Sequence, residues 1–594
     1  MLEKCLKLIP LKVILKLESY ILNDYKSAKK FLTTVNPSLL EEISKRKALD
    51  IFKLAAKEVP AYKKFLDDNN IEPNEIKTLA DFKKVPTTDK ENYIKKYSYE
   101  ERCIEGKFPT HGSIDESSGS SGVPTNWIRS KEEVERISKA AQFEYEYDFN
   151  EYKKRYIIIS AWSMGAWATG VKFAEITENF SVVKSTGPDV DKIISTIKTF
   201  GKRYDYLIGG YPPFIKKLVD EGAKKIRWKD YKVDFVTGGE GFVEEWRDYI
   251  KKKIGNKNTV IISSYGASDI DIGISFETPF SIFIRKLAKE NKELRKELFL
   301  GLNVDPNIFQ YDVTEHYIEN IEENGKPSFH ITLLNPLVAS PKIRYALKDE
   351  GNVIPFDNML EIIQKHIPDY MERFEKKGFK REDILKLPFL FVTKRIDDTI
   401  SIDGANVYPA QISLCLHKDK KLEEITHSFK IGTKTNKKQN IKFYTVFELK
   451  KGIKPSKELK ERYHQAIITH LTEINDDFEE SYLKNKEAAD PHVYIYPFNE
   501  GPFLVKNLIK HKYIFNPIEI AAVLLLSFVL SSIRYSSFLG PNRITGYSTV
   551  ALRSFLESSS FLEMFSLTVM MFSFLISLFA LVKYVVVTKE RYKK

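Results

Sequence analysis

The chain has 594 residues, more than one compact core usually holds, so two or more domains are expected. A hydrophobic content of 43% with 13% aromatic residues excludes a mainly disordered chain. The formal net charge is +12, but the basic residues are spread among nearly as many acidic ones and no nucleic-acid reader motif accompanies them, so nucleic acid is not an expected partner.

Residues 1–36 open with MLEKCLKLIPLKVILKLESYIL, an apolar run broken every few positions by lysine. It lacks the uninterrupted apolar core and small-residue cleavage site of a signal peptide, and predicts an amphipathic helix lying on the protein or on a membrane surface. Residues 37–100 predict helices, among them RKALDIFKLAAKEVPAYKKFL, followed by a turn at Val85-Pro86-Thr87-Thr88. From about 155 the pattern changes. Short runs such as YIIISAW, YDYLIGGY, VDFVTGGE and NTVIISSYG alternate with amphipathic segments of helical length. Strands apolar on both faces and spaced by helices predict an α/β layered sheet. Several of them end in glycine, as expected where a ligand sits beyond the strand tips.

Further on, FHITLLNPL predicts another strand, and FLFVTKRIDDTISIDGANVYPAQI predicts paired short strands around Asp397-Asp398 and Gly404. KFYTVFELKKG and PHVYIYPF then alternate with the helical KELKERYHQAIITHLTEI, enough for a small α+β module. The C-terminus differs again. Met564 to Val582 is an uncharged run of nineteen residues, about 28 Å as a helix. With Ile520 to Ile533 it predicts a membrane hairpin over 514–594, its helices at about 514–533 and 562–587. Lysines and arginines outside both helices predict that the flanks face the cytoplasm, with the chain membrane-associated and its globular domains cytoplasmic. A pair of helices buried in a soluble core is the alternative. Cys5, Cys103 and Cys415 are isolated, so neither a disulfide framework nor a clustered zinc site is expected, and a reducing compartment is.

Residues 115–125 read DESSGSSGVPT. Glycines let a backbone approach a ligand closely, and hydroxyl and amide groups donate to phosphate oxygens. By itself such a run is more often a linker, and the GK[ST] ending of a mononucleotide P-loop is absent. Read with three other motifs, it resembles the ATP-phosphate loop of the adenylate-forming enzymes, SSGTTGxPT. Their Y-G-x-[ST]-E is matched by Tyr265-Gly266-Ala267-Ser268-Asp269, and their RYxxxD by Arg344-Tyr345-Ala346-Leu347-Lys348-Asp349. Their hinge R-x-D-D…G…N…P is matched by Arg395-Ile396-Asp397-Asp398 with Gly404, Asn406 and Pro409. AAKEVPAYKKF, VPTTDKENY, Gly209-Gly210-Tyr211-Pro212-Pro213 and Gly238-Gly239-Glu240 are most similar to the phenylacetate–CoA ligase and capsule-biosynthesis branch, over about 40–515.

The resemblance implies a large ATP- and acid-binding α/β domain over 37–395, with layered sheets, and a small mobile α+β domain over 396–513. It implies activation of a carboxylic acid by ATP as an acyl-adenylate, with release of pyrophosphate and transfer to a thiol, typically coenzyme A. Carried over residue by residue, Ser117, Ser118, Gly119, Ser120, Ser121, Gly122 and Thr125 would hold the phosphates. Asp269, one methylene shorter than the family glutamate, would hold Mg²⁺ and serve catalysis. Tyr265 with Gly266 and Ser268, and Gly239 with Glu240, would line the nucleotide pocket. Asp349 would accept from the ribose hydroxyls, Arg395 would contact ribose or phosphate, and Asp397 would be the hinge. Trp162, Trp167 and Tyr211 are candidates for the acid side, Trp162 and Trp167 serving equally well as core. Three positions depart from the pattern. Val123 stands where many relatives carry lysine, Lys394 replaces the glycine before Arg395, and the catalytic lysine of the small domain has no clean equivalent, leaving Lys506 and Lys510 as candidates. These departures leave open a catalytically degenerate membrane-anchored binding or scaffold protein. Transfer to an amine or sugar in cell-surface polysaccharide synthesis is a further alternative.

Overall fold

The computed structural model describes residues 11–503 apart from 118–124, 151–153, 155, 165–167, 301–305, 324–325, 396–399 and 437–438. The predicted loop residues Ser118 to Gly122, Trp167, Asp397, Lys506, Lys510 and the hairpin over 514–594 therefore lie outside the described residues. Among the described residues no helix is long and apolar enough to cross a membrane.

Four helices lead the chain: α1 (Leu11–Leu22), α2 (Tyr25–Thr34), α3 (Pro37–Glu58) and α4 (Pro60–Asp68). Asp24 caps α2 by accepting from the Ser27 amide, and Asn36 caps α3 ahead of a proline in its first turn, where the missing amide costs nothing. Glu18 on α1 pairs with Lys47 on α3 at 2.8 Å and with Arg136 at 3.0 Å, so α1 lies on the large domain. The strands β1 (Gly112–Ser117) and β2 (Thr125–Ser130) form an antiparallel pair in which Ser117 faces Thr125. Helix α5 (Lys131–Phe149) follows directly.

Five parallel strands build the next layer: β3 (Tyr156–Ser160), β4 (Val182–Ser185), β5 (Asp205–Gly209), β6 (Lys232–Thr237) and β7 (Ile261–Ala267). Their connecting helices are α6 (Ala168–Thr177), α7 (Val190–Phe200), α8 (Pro212–Gly222) and α9 (Glu244–Ile254). Every residue of β3 and β5 is buried, because helices cover both faces of a parallel sheet. Ile158, Ile159, Leu207 and Ile208 are fully buried, each stabilising the fold by about 2 kcal/mol. The strands lie in the order β4-β3-β5-β6-β7, so the chain steps outward from β3 in one direction and returns on its other side. That reversal creates a crevice beyond the carboxyl ends of β3 and β5, the place where open α/β sheets hold ligands.

Antiparallel strands continue the sheet: β8 (Asp271–Phe276), β9 (Ile308–Tyr311), β10 (His316–Glu323), β11 (Lys326–Leu333), β12 (Tyr345–Ile354) and β13 (Phe389–Arg395). Eleven strands result, in the order β10-β11-β12-β13-β9-β8-β7-β6-β5-β3-β4. Beyond β13 the hairpin β14 (Ile400–Ile402) and β15 (Ala405–Val407) leads into a small sheet of β16 (Thr426–Thr435), β17 (Ile441–Leu449) and β18 (His492–Tyr496). Helix α10 (Lys457–Ile474) packs on that sheet through Tyr463, whose ring stacks on Phe447 at 4.2 Å. These residues share a core of their own that includes Ile402, Phe443 and Leu471. Cys103 and Cys415 are free and buried, and Cys5 lies outside the described residues.

Candidate active site

A cavity of about 990 Å³ opens at the carboxyl ends of the parallel strands. Trp162 follows β3 and Tyr211 follows β5, and their rings meet edge to face at 4.8 Å across the point where the strand order reverses. Gly238, Gly239 and Glu240 follow β6, and Tyr265 and Gly266 end β7. Gly239 has φ +75°, and a Cβ there would lie 2.7 Å from the Tyr211 ring, so the close approach needs glycine. A Cβ on Gly266 would run into the backbone of Ile272.

The β14–β15 hairpin closes one side of this cavity. Gly404, at φ +90° in the turn between β14 and β15, sits against the Tyr211 ring where no side chain fits. Its amide donates to Glu240 Oε1 at 2.8 Å. Burial, with the Asp403 charge beside it, pushes the Glu240 carboxyl up to about 7. Burial also raises Asp403, to about 6.

Two carboxylates mark the opposite wall. Asp349 on β12 accepts from the Tyr265 hydroxyl at 2.5 Å and lies opposite Arg395 in the β12–β13 register. Asp269 accepts from the Tyr345 hydroxyl at 2.8 Å, and Lys90 reaches it at 3.2 Å from the turn after VPTT. Lys90 and Lys342 each place an ammonium 5.5 Å from the centroid of Trp127, whose ring also meets Tyr345 at 84°. The Trp127 indole donates to Ser117 Oγ at 2.9 Å, tying the end of β1 to this wall.

Behind the wall lies a buried ionic lattice. Arg129 on β2 pairs with Asp115 at 3.1 Å and Glu133 at 2.8 Å, and donates to the carbonyls of Ser268 and Ile270 on either side of Asp269. Lys172 reaches Asp115 from α6 at 3.4 Å. Burial, with Arg129 nearby, drops the Lys342 ammonium to about 7. Arg344 serves the frame rather than the cavity. In a left-handed conformation at φ 47°, it pairs with Glu319 at 2.9 Å and donates to the Lys83 carbonyl at 2.7 Å, locking the VPTT turn onto β12.

Of the residues singled out in the sequence, Ser117, Trp162, Tyr211, Gly239 and Glu240 line this cavity, as do Tyr265, Gly266, Ser268, Asp269 and Asp349. Thr125 stands one strand over, paired with Ser117. Lys90, Trp127, Arg129 and Lys342 escape a reading of the sequence alone. Only VPTTDKENY, which contains Lys90, carried a signal for any of them.

No family model matches the chain, and no curated protein sequence matches it. Among solved structures, 2-hydroxyisobutyryl-CoA ligase with 2-HIB-AMP and CoA in its thioesterification state has a TM-score of 0.53 at 14% identity, over 84% of this chain and 94% of that one. The same ligase with 2-HIB-AMP in its postadenylation state gives 0.45 at 14% identity, over 84% and 93%. Amide bond synthetase McbA from Marinactinospora thermotolerans gives 0.41 at 13% identity, over 69% and 68%. The first likeness establishes a shared fold, here a mixed α/β chain with one large sheet.

Proposed function

We propose that the chain is an ATP-dependent acid ligase. It joins a carboxylic acid to ATP, releases pyrophosphate, and passes the acyl group to a thiol, that of coenzyme A. The observation that carries this reading is the convergence of Asp349 with Tyr265, and of Asp269 with Lys90, in the cavity that β1 and the strand-end glycines border. The ligase that shares the fold was captured with an AMP adduct and CoA, which supports the same chemistry here.

Asp349, an acceptor-only carboxylate braced by the Tyr265 hydroxyl, would take the ribose hydroxyls. The acid's carboxylate oxygen attacks the α-phosphorus as the bond to pyrophosphate breaks. Lys90 and the hydroxyl-rich run between Ser117 and Thr125 would hold the charge that builds on the leaving group. Among the described residues no cluster of three or more His, Cys, Asp or Glu could hold a metal unaided. A lone carboxylate such as Asp269 suits Mg²⁺ shared with substrate phosphates, where the ion would neutralise phosphate charge. In the second half-reaction a thiolate attacks the acyl carbon and AMP departs.

Acid-dependent exchange of labelled pyrophosphate into ATP tests the first half-reaction. Exchange is expected in the wild type, lost in Asp349→Ala and reduced in Ser120→Ala. ATP binding without exchange across a broad panel of acids would instead favour a catalytically silent binding protein, the reading that Val123 and the unmatched small-domain lysine motivate. We place the enzyme at the cytoplasmic face of a membrane, held by the apolar hairpin over 514–594.

A further inference from the structure

The cavity continues past the nucleotide-side residues into a chamber that the proposed first half-reaction leaves without a role. One face of α5 lines it: Ile137, Ala140, Ala141 and Glu144 recur at helical spacing, and the two alanines leave room that larger side chains would fill. Phe173 and Ile176 on α6 and Ile272 on β8 make the remaining wall apolar.

Besides the ion-paired Glu133, Arg136 and Glu315, three more polar side chains on this lining matter. Glu144 is 8% exposed, and its Oε1 has no hydrogen-bond partner. His316, 5% exposed at the start of β10, has an unpartnered Nδ1. Asp271, 9% exposed at the start of β8, turns one oxygen to the Gly273 amide at 3.1 Å. All three line the one cavity. Buried polar groups are almost always hydrogen-bonded, since leaving one unpaired costs about 1–3 kcal/mol. Two side chains with such orphan atoms, lining one cavity beside a third acceptor, mark a place built for a donor.

Charge decides which donor. Arg129 and Lys172 are already matched by Asp115, Glu133 and Glu175. Arg136 is matched by Glu315 and Glu18. Asp271 and Glu144, by contrast, make no ion pair among the described residues. Burial holds the Glu144 carboxyl at about 8, so it stays protonated near neutral pH until a cation arrives.

We propose that this chamber is the acyl pocket, and that its substrate is a carboxylic acid carrying an amino group at the end remote from the carboxylate. The ammonium has three donors, matched by Glu144, Asp271 and His316 Nδ1, and a hydrocarbon spacer lies along Phe173, Ile176 and Ile272. The proposal rests on the ligase reading for the word acyl, but the cation site itself does not need turnover.

The test compares ω-amino, ω-hydroxy and ω-methyl alkanoic acids of graded length, by pyrophosphate exchange and by calorimetric titration onto the full-length protein. The amino acids are expected to surpass their methyl isosteres by about tenfold or more in kcat/KM and in affinity, a preference that collapses in Glu144→Gln and in His316→Phe. Exchange that runs equally well or better with the methyl or hydroxy acids overturns the proposal and leaves the ligase reading standing. A preference that survives Glu144→Gln overturns it too. Selective binding of the amino acids, lost in Glu144→Gln, with no exchange for any acid, supports the cation site and overturns the ligase reading. Neither binding nor exchange overturns both.

Discussion

Asp349 and Lys342 illustrate opposite uses of burial. Asp349, buried at the cavity wall, accepts from the Tyr265 hydroxyl at 2.5 Å. Tyr265→Phe removes one charge-assisted hydrogen bond, so KM for ATP is expected to rise about tenfold in steady-state exchange, with kcat nearly unchanged. Lys342 instead carries the cost of desolvation, its ammonium held near 7 in the folded chain against about 10.4 in the unfolded one. Between those values the unfolded chain binds a proton that the folded chain lacks, so stability rises with pH across the window. Lys342→Met should stabilise the protein by on the order of a few kcal/mol at pH 6, with the gain shrinking toward pH 10. Denaturant titration at the two pH values measures it, and a gain independent of pH would contradict the assignment.

At the scale of elements, Arg129 makes β2, α5 and the loop before β8 into one unit. It is the shared partner of Asp115, Glu133 and the carbonyls flanking Asp269. Breaking such a buried cluster on one side typically costs about 3–5 kcal/mol. Arg129→Met is expected to lose stability of that order by thermal and chemical denaturation. A loss under about 1 kcal/mol would mean the cluster is not cooperative.

The hairpin β14–β15 makes a second element-level contact, docking Gly404 on Glu240 with Asp403 alongside. Both carboxyls are raised in the docked form and regain ordinary values when the hairpin leaves. The docked form thus binds protons that the undocked form does not, and docking is favoured at acid pH and weakens as pH rises through about 6 and 7. Intramolecular fluorescence transfer between labels on the two domains should show a population shift over that range. Glu240→Gln should flatten its upper half.

Over the whole molecule, the elements from β14 to β18 pack around a core of their own. If the missing catalytic lysine is Lys506 or Lys510, one of the two substitutions to alanine should slow adenylation about a hundredfold and leave acyl transfer from preformed adenylate almost untouched. Equal effects on both half-reactions would point to a folding defect instead. Deleting 514–594 should move the protein from the membrane pellet to the supernatant on fractionation. Unchanged sedimentation would count against the hairpin.

The strands around the cavity are legible in the sequence because each is a short apolar run closed by glycine, and burial on both faces leaves no room for polar alternation. Tyr265, Asp269 and Asp349 are legible because backbone geometry and ligand chemistry constrain neighbouring residues together, which leaves motifs. Arg129 and Lys342 belong to no such motif. Each is a common surface residue type until folding buries it against groups far off in the chain, the Ser268 and Ile270 carbonyls for Arg129 and the Trp127 ring for Lys342, and local pattern carries no record of that.

The amino-acid sequence by itself thus determined the α/β alternation, the order of the nucleotide-side motifs and the apolar C-terminal run, because these depend on local periodicity and on short stretches that act alone. Only the tertiary structure decided that Arg344 locks a turn instead of facing the cavity, that Gly404 docks on Glu240, and that Glu144, Asp271 and His316 line one cavity. Those facts depend on desolvation and on charges meeting across long separations, and such energies exist only once the chain has closed around them.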